Sequence, residues 1–164
     1  MSEYIAMDLV GVRVQFPSNQ PIVLLREREG FRYLPIWVGA VEATAIAYAM
    51  EGVVPDRPMT HDLLRNVTQA LGAEVKKVLV TELRDSVYFA DLVFASEEGD
   101  VTISSRPSDA IALAARTGAG VFATEEVLED AGIELEEENE ETEIEKFREF
   151  LDDISPDDFE GSTD

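Results

Sequence analysis

Residues 4–16 set apolar side chains at near-alternate positions (Ile5, Met7, Leu9, Val10, Val12, Val14, Phe16) and run into the turn cluster Pro17-Ser18-Asn19-Gln20-Pro21. A period of two belongs to a strand with one buried face, and a tight turn returns the next strand beside it. The pattern recurs. Residues 22–28 read as the returning strand and 33–38 as a third, with Gly11 a bulge candidate in the first. Residues 74–83 and 87–95 form a further pair joined by Arg84-Asp85-Ser86, and short strands follow at 101–104 and 121–123.

Helices are inserted between these hairpins. Gly39 opens a helix over 40–51 that is apolar on nearly every face (Val41, Ala43, Ala45, Ile46, Ala47, Tyr48, Met50), so burial is expected for it. Thr60 reads as the N-cap of a second helix, with Leu63, Leu64, Val67, Ala70 and Leu71 as its apolar stripe and Gly72 as its stop. A third runs from Pro107 to Thr117, proline suiting the first position, and ends at Gly118. Thr124 caps a short fourth that reaches Ala131. Hairpins with inserted helices define an α+β fold on a mixed, mostly antiparallel sheet, and argue against a doubly wound one. The domain is expected over 1–132. An acidic linker follows over 133–143, then an amphipathic helix over 144–155 (Ile144, Phe147, Leu151 and Ile154 on one face), then a disordered tail over 156–164.

Composition excludes several chemistries. The chain of 164 residues has no cysteine, which removes disulfides, zinc–thiolate sites and cysteine nucleophiles. The first residues show no basic segment leading into an apolar one, and no apolar run approaches the roughly 18 residues of a membrane span. A cytoplasmic protein with no membrane association is expected. The net charge of −22 is uneven: residues 125–164 carry 19 acids and 2 bases, leaving the remainder at −5. A mildly acidic body lacks the basic surface of a general nucleic-acid binder.

Chemistry concentrates in two segments. Arg57-Pro58-Met59-Thr60-His61-Asp62 places the only histidine beside an arginine and an acid at a helix start, and Arg106-Pro107-Ser108-Asp109 repeats a cation, a proline and an acid at another. Helix starts present free N–H groups and a partial positive charge, which suit phosphate and other anions. Neutral His61 suits a general base; Asp62 and Asp109 suit a divalent cation; Arg57 and Arg106 suit phosphate, with Thr60 and Ser108 as added donors. Glu42, in the first turn of an apolar helix, needs a partner, a metal or a cleft. Each also has a structural reading, as a cap, an ion pair or a dipole complement. The GxSxG, P-loop and GxGxxG patterns are absent, and no organic cofactor is expected. Phosphoester hydrolysis would therefore rest on acids holding a divalent metal, with arginines neutralising charge.

Three ordered blocks resemble the bifunctional nuclease family. Leu34-Pro35-Ile36-Trp37-Val38-Gly39 with Glu42-Ala43 is similar to its opening block, Arg57 to Leu64 to its central block, and Arg106 to Ala114 to its third. The resemblance covers about residues 4–132. It implies an α+β domain that associates with copies of itself, as a dimer or higher homo-oligomer. It also implies nuclease activity on RNA and DNA; with the acids and arginines above, the expected reaction is cleavage of RNA or single-stranded DNA assisted by a divalent ion such as Mg or Mn. Glu42, His61, Asp62 and Asp109 would then be catalytic, the three acids would hold the metal, and Arg57, Thr60, Arg106 and Ser108 would bind phosphate. The alternative is a non-catalytic anion-binding or oligomeric regulatory module that uses the same helix starts.

Overall fold

A computed structural model describes residues 3–15 and 17–134. In chain order the elements are β1 (Tyr4–Gln15), β2 (Gln20–Glu27), β3 (Arg32–Trp37), α1 (Ala40–Glu51), α2 (Thr60–Ala70), β4 (Glu74–Arg84), β5 (Val87–Ser96), β6 (Gly99–Ser105), α3 (Pro107–Thr117), β7 (Gly120–Thr124), α4 (Glu125–Ala131) and β8 (Ile133–Glu134). The strands form one sheet in the order β6-β5-β4-β7-β1-β2-β3-β8. All the registered pairs are antiparallel except β4 with β7. The fold is α+β.

Local chemistry explains the hairpins. Asp85 and Ser86 both take positive φ (52° and 64°), the two-residue turn whose twist matches paired strands. The register of β1 against β2 slips between Leu9 and Gly11, so the bulge lies where glycine interrupts the run. The sheet curls strongly. Tyr88 Oη on β5 donates to Pro35 O on β3 at 3.1 Å, although four strands separate them in sheet order.

α3 is the central helix. Its residues Ala110 to Ala114 are buried, and it packs on α1, α2, β4, β5 and β7. Gly118 closes it in the left-handed conformation (φ 76°), with its N–H on Ala114 O. α1 departs from expectation. Only Ala43, Ala45 and Ile46 are buried, while Val41, Tyr48 and Met50 face outward. It meets β1, β2 and α3 on one side, and among the described residues the opposite side stays exposed. α2 departs likewise: Leu64 packs on the core, but Leu63, Val67 and Leu71 are exposed. Its N-cap is Met59, whose N–H donates to Asp62 Oδ2 at 3.0 Å; Thr60 is the first helical residue, exposed, and caps nothing. A carboxylate at the third helical position does the work expected of the threonine. β8 begins inside the stretch read as linker, at the sheet edge beside β3. The helix expected over 144–155 and the tail over 156–164 lie outside the described residues. No helix of the described residues is long and apolar enough to cross a membrane.

One ion-pair cluster ties the β2–β3 turn to α4. Arg32 Nη2 donates to Glu27 Oε1 (2.6 Å), Arg32 N to Glu27 Oε2 (2.9 Å), and Arg32 Nη1 and Nη2 to Glu125 (2.7 and 2.8 Å). Hydrogen bonding from Arg32 holds the buried Glu27 carboxyl below the usual carboxylate range, against a burial effect that acts upward. A carboxyl lowered in the folded state stabilises it above the unfolded value, near 4.3 for glutamate, and that stabilisation is lost as pH falls through the lowered value. Glu27→Gln should therefore flatten the acid limb of stability. Urea midpoints compared at pH 7 and pH 3 should fall less in the variant than in the parent; an equal fall contradicts the assignment.

Candidate active site

Three helix starts converge on one network. Arg106 is the N-cap of α3, with extended backbone (φ −70°, ψ 142°) and Pro107 next, a residue with no N–H to strand. Asp109, in the first turn, complements the helix dipole and receives Arg106: Nε lies 2.9 Å and Nη2 2.8 Å from Asp109 Oδ2. The same Nη2 reaches Glu42 Oε1, in the first turn of α1, at 3.0 Å. On the other side Asp109 Oδ1 lies 2.9 Å from Nε2 of His61, the second residue of α2. Glu42, Arg106, Asp109 and His61 thus form one continuous chain.

Its electrostatics follow from the donor inventory. A carboxylate only accepts, so His61 Nε2 donates, and in the neutral ring Nδ1 is the unprotonated nitrogen. The His61 side chain is 8 % exposed against 63 % for Arg106, so the network runs from interior to surface. Asp109, and after it Glu42, hold the Arg106 guanidinium above its ordinary pKa.

Asp62 is turned away. Successive residues on a helix point about 100° apart, and His61 and Asp62 here take different partners. Asp62 Oδ1 accepts from Arg116 Nε at 2.7 Å. Arg116 Nη1 also donates to Ala112 O at 2.9 Å, and its side chain is only 5 % exposed. Burial pushes the Asp62 carboxyl upward, but Arg116 and the Met59 N–H outweigh it and hold it low. Glu42, Asp62 and Asp109 therefore do not assemble as one ligand set, and no group of three acidic or histidine side chains that could hold a metal occurs among the described residues. A Glu42 and an Asp109 oxygen share the single nitrogen Arg106 Nη2, so a metal ion between them would have to replace it. Magnesium commonly takes one or two carboxylates and completes its shell with water and substrate phosphate. Arg57 and Thr60 are exposed and stand outside the network. Ser108 is buried and lines a cleft of about 400 Å³ shared with Gln20, Trp37, Gly39, Tyr88 and Arg106. A second cleft, of about 370 Å³, lies on the Asp62–Arg116 side.

Two contributors carried little sequence signal. Arg116 reads as a routine base in the last turn of α3, and its pairing with Asp62 depends on how α2 crosses α3. Trp37 stands in a recognisable block, but nothing in its spacing marks an exposed ring. Gly39 is more informative. A Cβ there would collide with the Glu42 carboxylate, which folds back over it. Gly39→Ala should displace Glu42 from Arg106. The expected result is about tenfold slower phosphodiester cleavage, by analogy with other small misplacements, with thermal stability changed by no more than about 1 kcal/mol.

These features define a class: an α+β domain in which three helix starts share a histidine, two carboxylates and an arginine. The chain belongs to the bifunctional nuclease domain family, whose profile matches residues 23–136. All four network residues lie inside that span. The chain is 46 % identical over 162 residues to the uncharacterized protein Rv1829 of Mycobacterium tuberculosis, covering 94 % of this chain and 97 % of that protein. It is 32 % identical over 111 residues to bifunctional nuclease 2 of Oryza sativa subsp. japonica, and 33 % over 105 residues to bifunctional nuclease 2 of Arabidopsis thaliana. Those alignments take in 65 % and 62 % of this chain but 34 % and 32 % of the plant proteins.

Proposed function

We propose that the protein hydrolyses phosphodiester bonds in RNA or single-stranded DNA at the Glu42–Arg106–Asp109–His61 network. The observation that carries this reading is the contact between His61 and Asp109, residues 48 apart in sequence and 2.9 Å apart in space. Arg106, the most exposed member, meets the phosphate through Nη1, the guanidinium nitrogen with no partner among the described residues. Asp109, partly exposed, is the base that takes a proton from the attacking water. His61 is too buried to reach substrate and acts through Asp109: its Nε2–H fixes the carboxylate and stabilises its charge. Glu42 holds Arg106 from the far side. A Mg or Mn ion would be held by Glu42 and Asp109 in place of Arg106 Nη2, and would neutralise charge on the phosphodiester. Asp62 would not be among its ligands.

The test is cleavage of labelled single-stranded RNA and DNA by purified protein, with and without Mg or Mn and with chelator. Product in the presence of the ion, suppressed by chelator and restored by adding the ion back, supports the metal-assisted reading. Cleavage that survives both His61→Ala and Asp109→Asn removes the site.

A second reading is a non-catalytic anion-binding module. It draws on the fact that both Asp109 oxygens already have partners. A purely structural role, by contrast, is disfavoured by the 63 % exposure of Arg106. Association with a second copy is part of the proposal, because an isologous contact would set the exposed Leu63–Val67–Leu71 stripe against itself. Leu71→Glu should then shift the sedimentation coefficient to that of a monomer; an unchanged value excludes this surface.

A further inference from the structure

The cleft of about 400 Å³ beside the network lies within the roughly 300–1,000 Å³ of small-ligand sites, and its walls are unlike one another. One contributor is Trp37, the last residue of β3 and the chain's single tryptophan, which is 48 % exposed. Another is the start of α3, where Arg106 and Ser108 line the same space.

Ser108 is the telling residue. It is 6 % exposed, yet its hydroxyl makes no hydrogen bond among the described residues. No fully enclosed side-chain polar atom among those residues lacks a partner, so this hydroxyl opens into the cleft it lines. A buried hydroxyl with no protein partner costs free energy unless something from the cleft bonds to it. Two neighbours add to it. Arg106 spends Nε and Nη2 on Asp109 and Glu42, leaving Nη1 without a protein partner among the described residues. Arg106 also offers α3 no side-chain cap, so the first-turn N–H groups keep donor capacity. Donors at the start of α3 and a flat apolar ring therefore line one cleft. A nucleotide has the matching pair of features, a phosphate and a base. Gln20 and Ser86 supply polar groups along the wall for base edges.

We propose that this cleft binds one nucleotide unit, with the base stacked on Trp37 and the phosphate held by Arg106 Nη1, the Ser108 hydroxyl and the first turn of α3. As a subsite for the strand that is cut, it rests on the nuclease reading; as a nucleotide site it does not. Stacking tolerates any base, so the subsite selects unpaired nucleotides without selecting sequence.

The single tryptophan is its own reporter. Adenosine monophosphate should quench Trp37 fluorescence saturably, and ribose 5-phosphate, which has no base, should not. Ser108→Ala should weaken adenosine monophosphate without weakening adenosine. For cleavage of a short oligoadenylate, Trp37→Ala should raise KM about ten- to a hundredfold with kcat within about threefold, and Trp37→Phe should restore most of the loss. Tighter quenching by the oligoadenylate than by the mononucleotide assigns the site to a strand, and the reverse assigns it to a free nucleotide; both uphold it. Cleavage by the parent with no quenching, or with KM unmoved in Trp37→Ala, overturns the subsite and leaves the nuclease reading intact. Saturable, Ser108-dependent quenching with no cleavage does the opposite.

Discussion

Asp109→Asn is expected to cleave single-stranded RNA or DNA about a hundred- to ten-thousandfold more slowly than the parent, the range associated with a positioned acid or base. The substitution keeps size and shape but removes the charge and the basicity. It also sets an amide against Arg106 Nε and Nη2, or against His61 Nε2, because an amide has only one accepting atom for the two oxygens now used. The loss should fall on kcat. Stability should change little, since the Asp109 side chain is about one-third exposed and its pair with Arg106 is open to solvent. Steady-state kinetics beside a thermal melt check both halves. A small kinetic effect in a folded protein would contradict the role given to Asp109.

The largest stability effect is expected at the residue next to the histidine. Asp62→Ala leaves Arg116 with a buried guanidinium and no carboxylate, and removes the acceptor of the Met59 N–H at the start of α2. Removing one partner of a buried pair costs about 3–5 kcal/mol, because the remaining charge stays desolvated. That is a large fraction of a typical domain's total of roughly 5–15 kcal/mol. Urea unfolding should show the loss directly. Cleavage by Asp62→Ala should then track the amount of folded protein. A fully stable variant would mean that Asp62 and Arg116 do not depend on each other.

Much of this architecture is legible in the chain because local signals agree with the global result. Strand period, the Asp85-Ser86 turn, Pro107 and Gly118 each act within a few residues, and all point to hairpins with inserted helices. Pairing of the helix starts is a different kind of fact. Each cluster can be read singly as anion-binding, but which acid joins which arginine depends on crossing angles. Asp62 and Asp109 look equivalent in sequence, an acid in each first turn. The rotation of α2 then gives His61 to Asp109 and Asp62 to Arg116. Exposure on α1 has a related cause: Val41, Tyr48 and Met50 are apolar, and whether anything covers them is settled by tertiary packing.

The central claim is that His61 and Asp109 act as one device, with the carboxylate meeting substrate and the imidazole acting through it. A double-mutant cycle on kcat, using His61→Gln, Asp109→Asn and the combination, measures that coupling directly. Partial activity is expected in His61→Gln, whose amide can still donate to Asp109, and a double variant no slower than Asp109→Asn alone. Losses that multiply in the double variant, or full activity in both single variants, would contradict it.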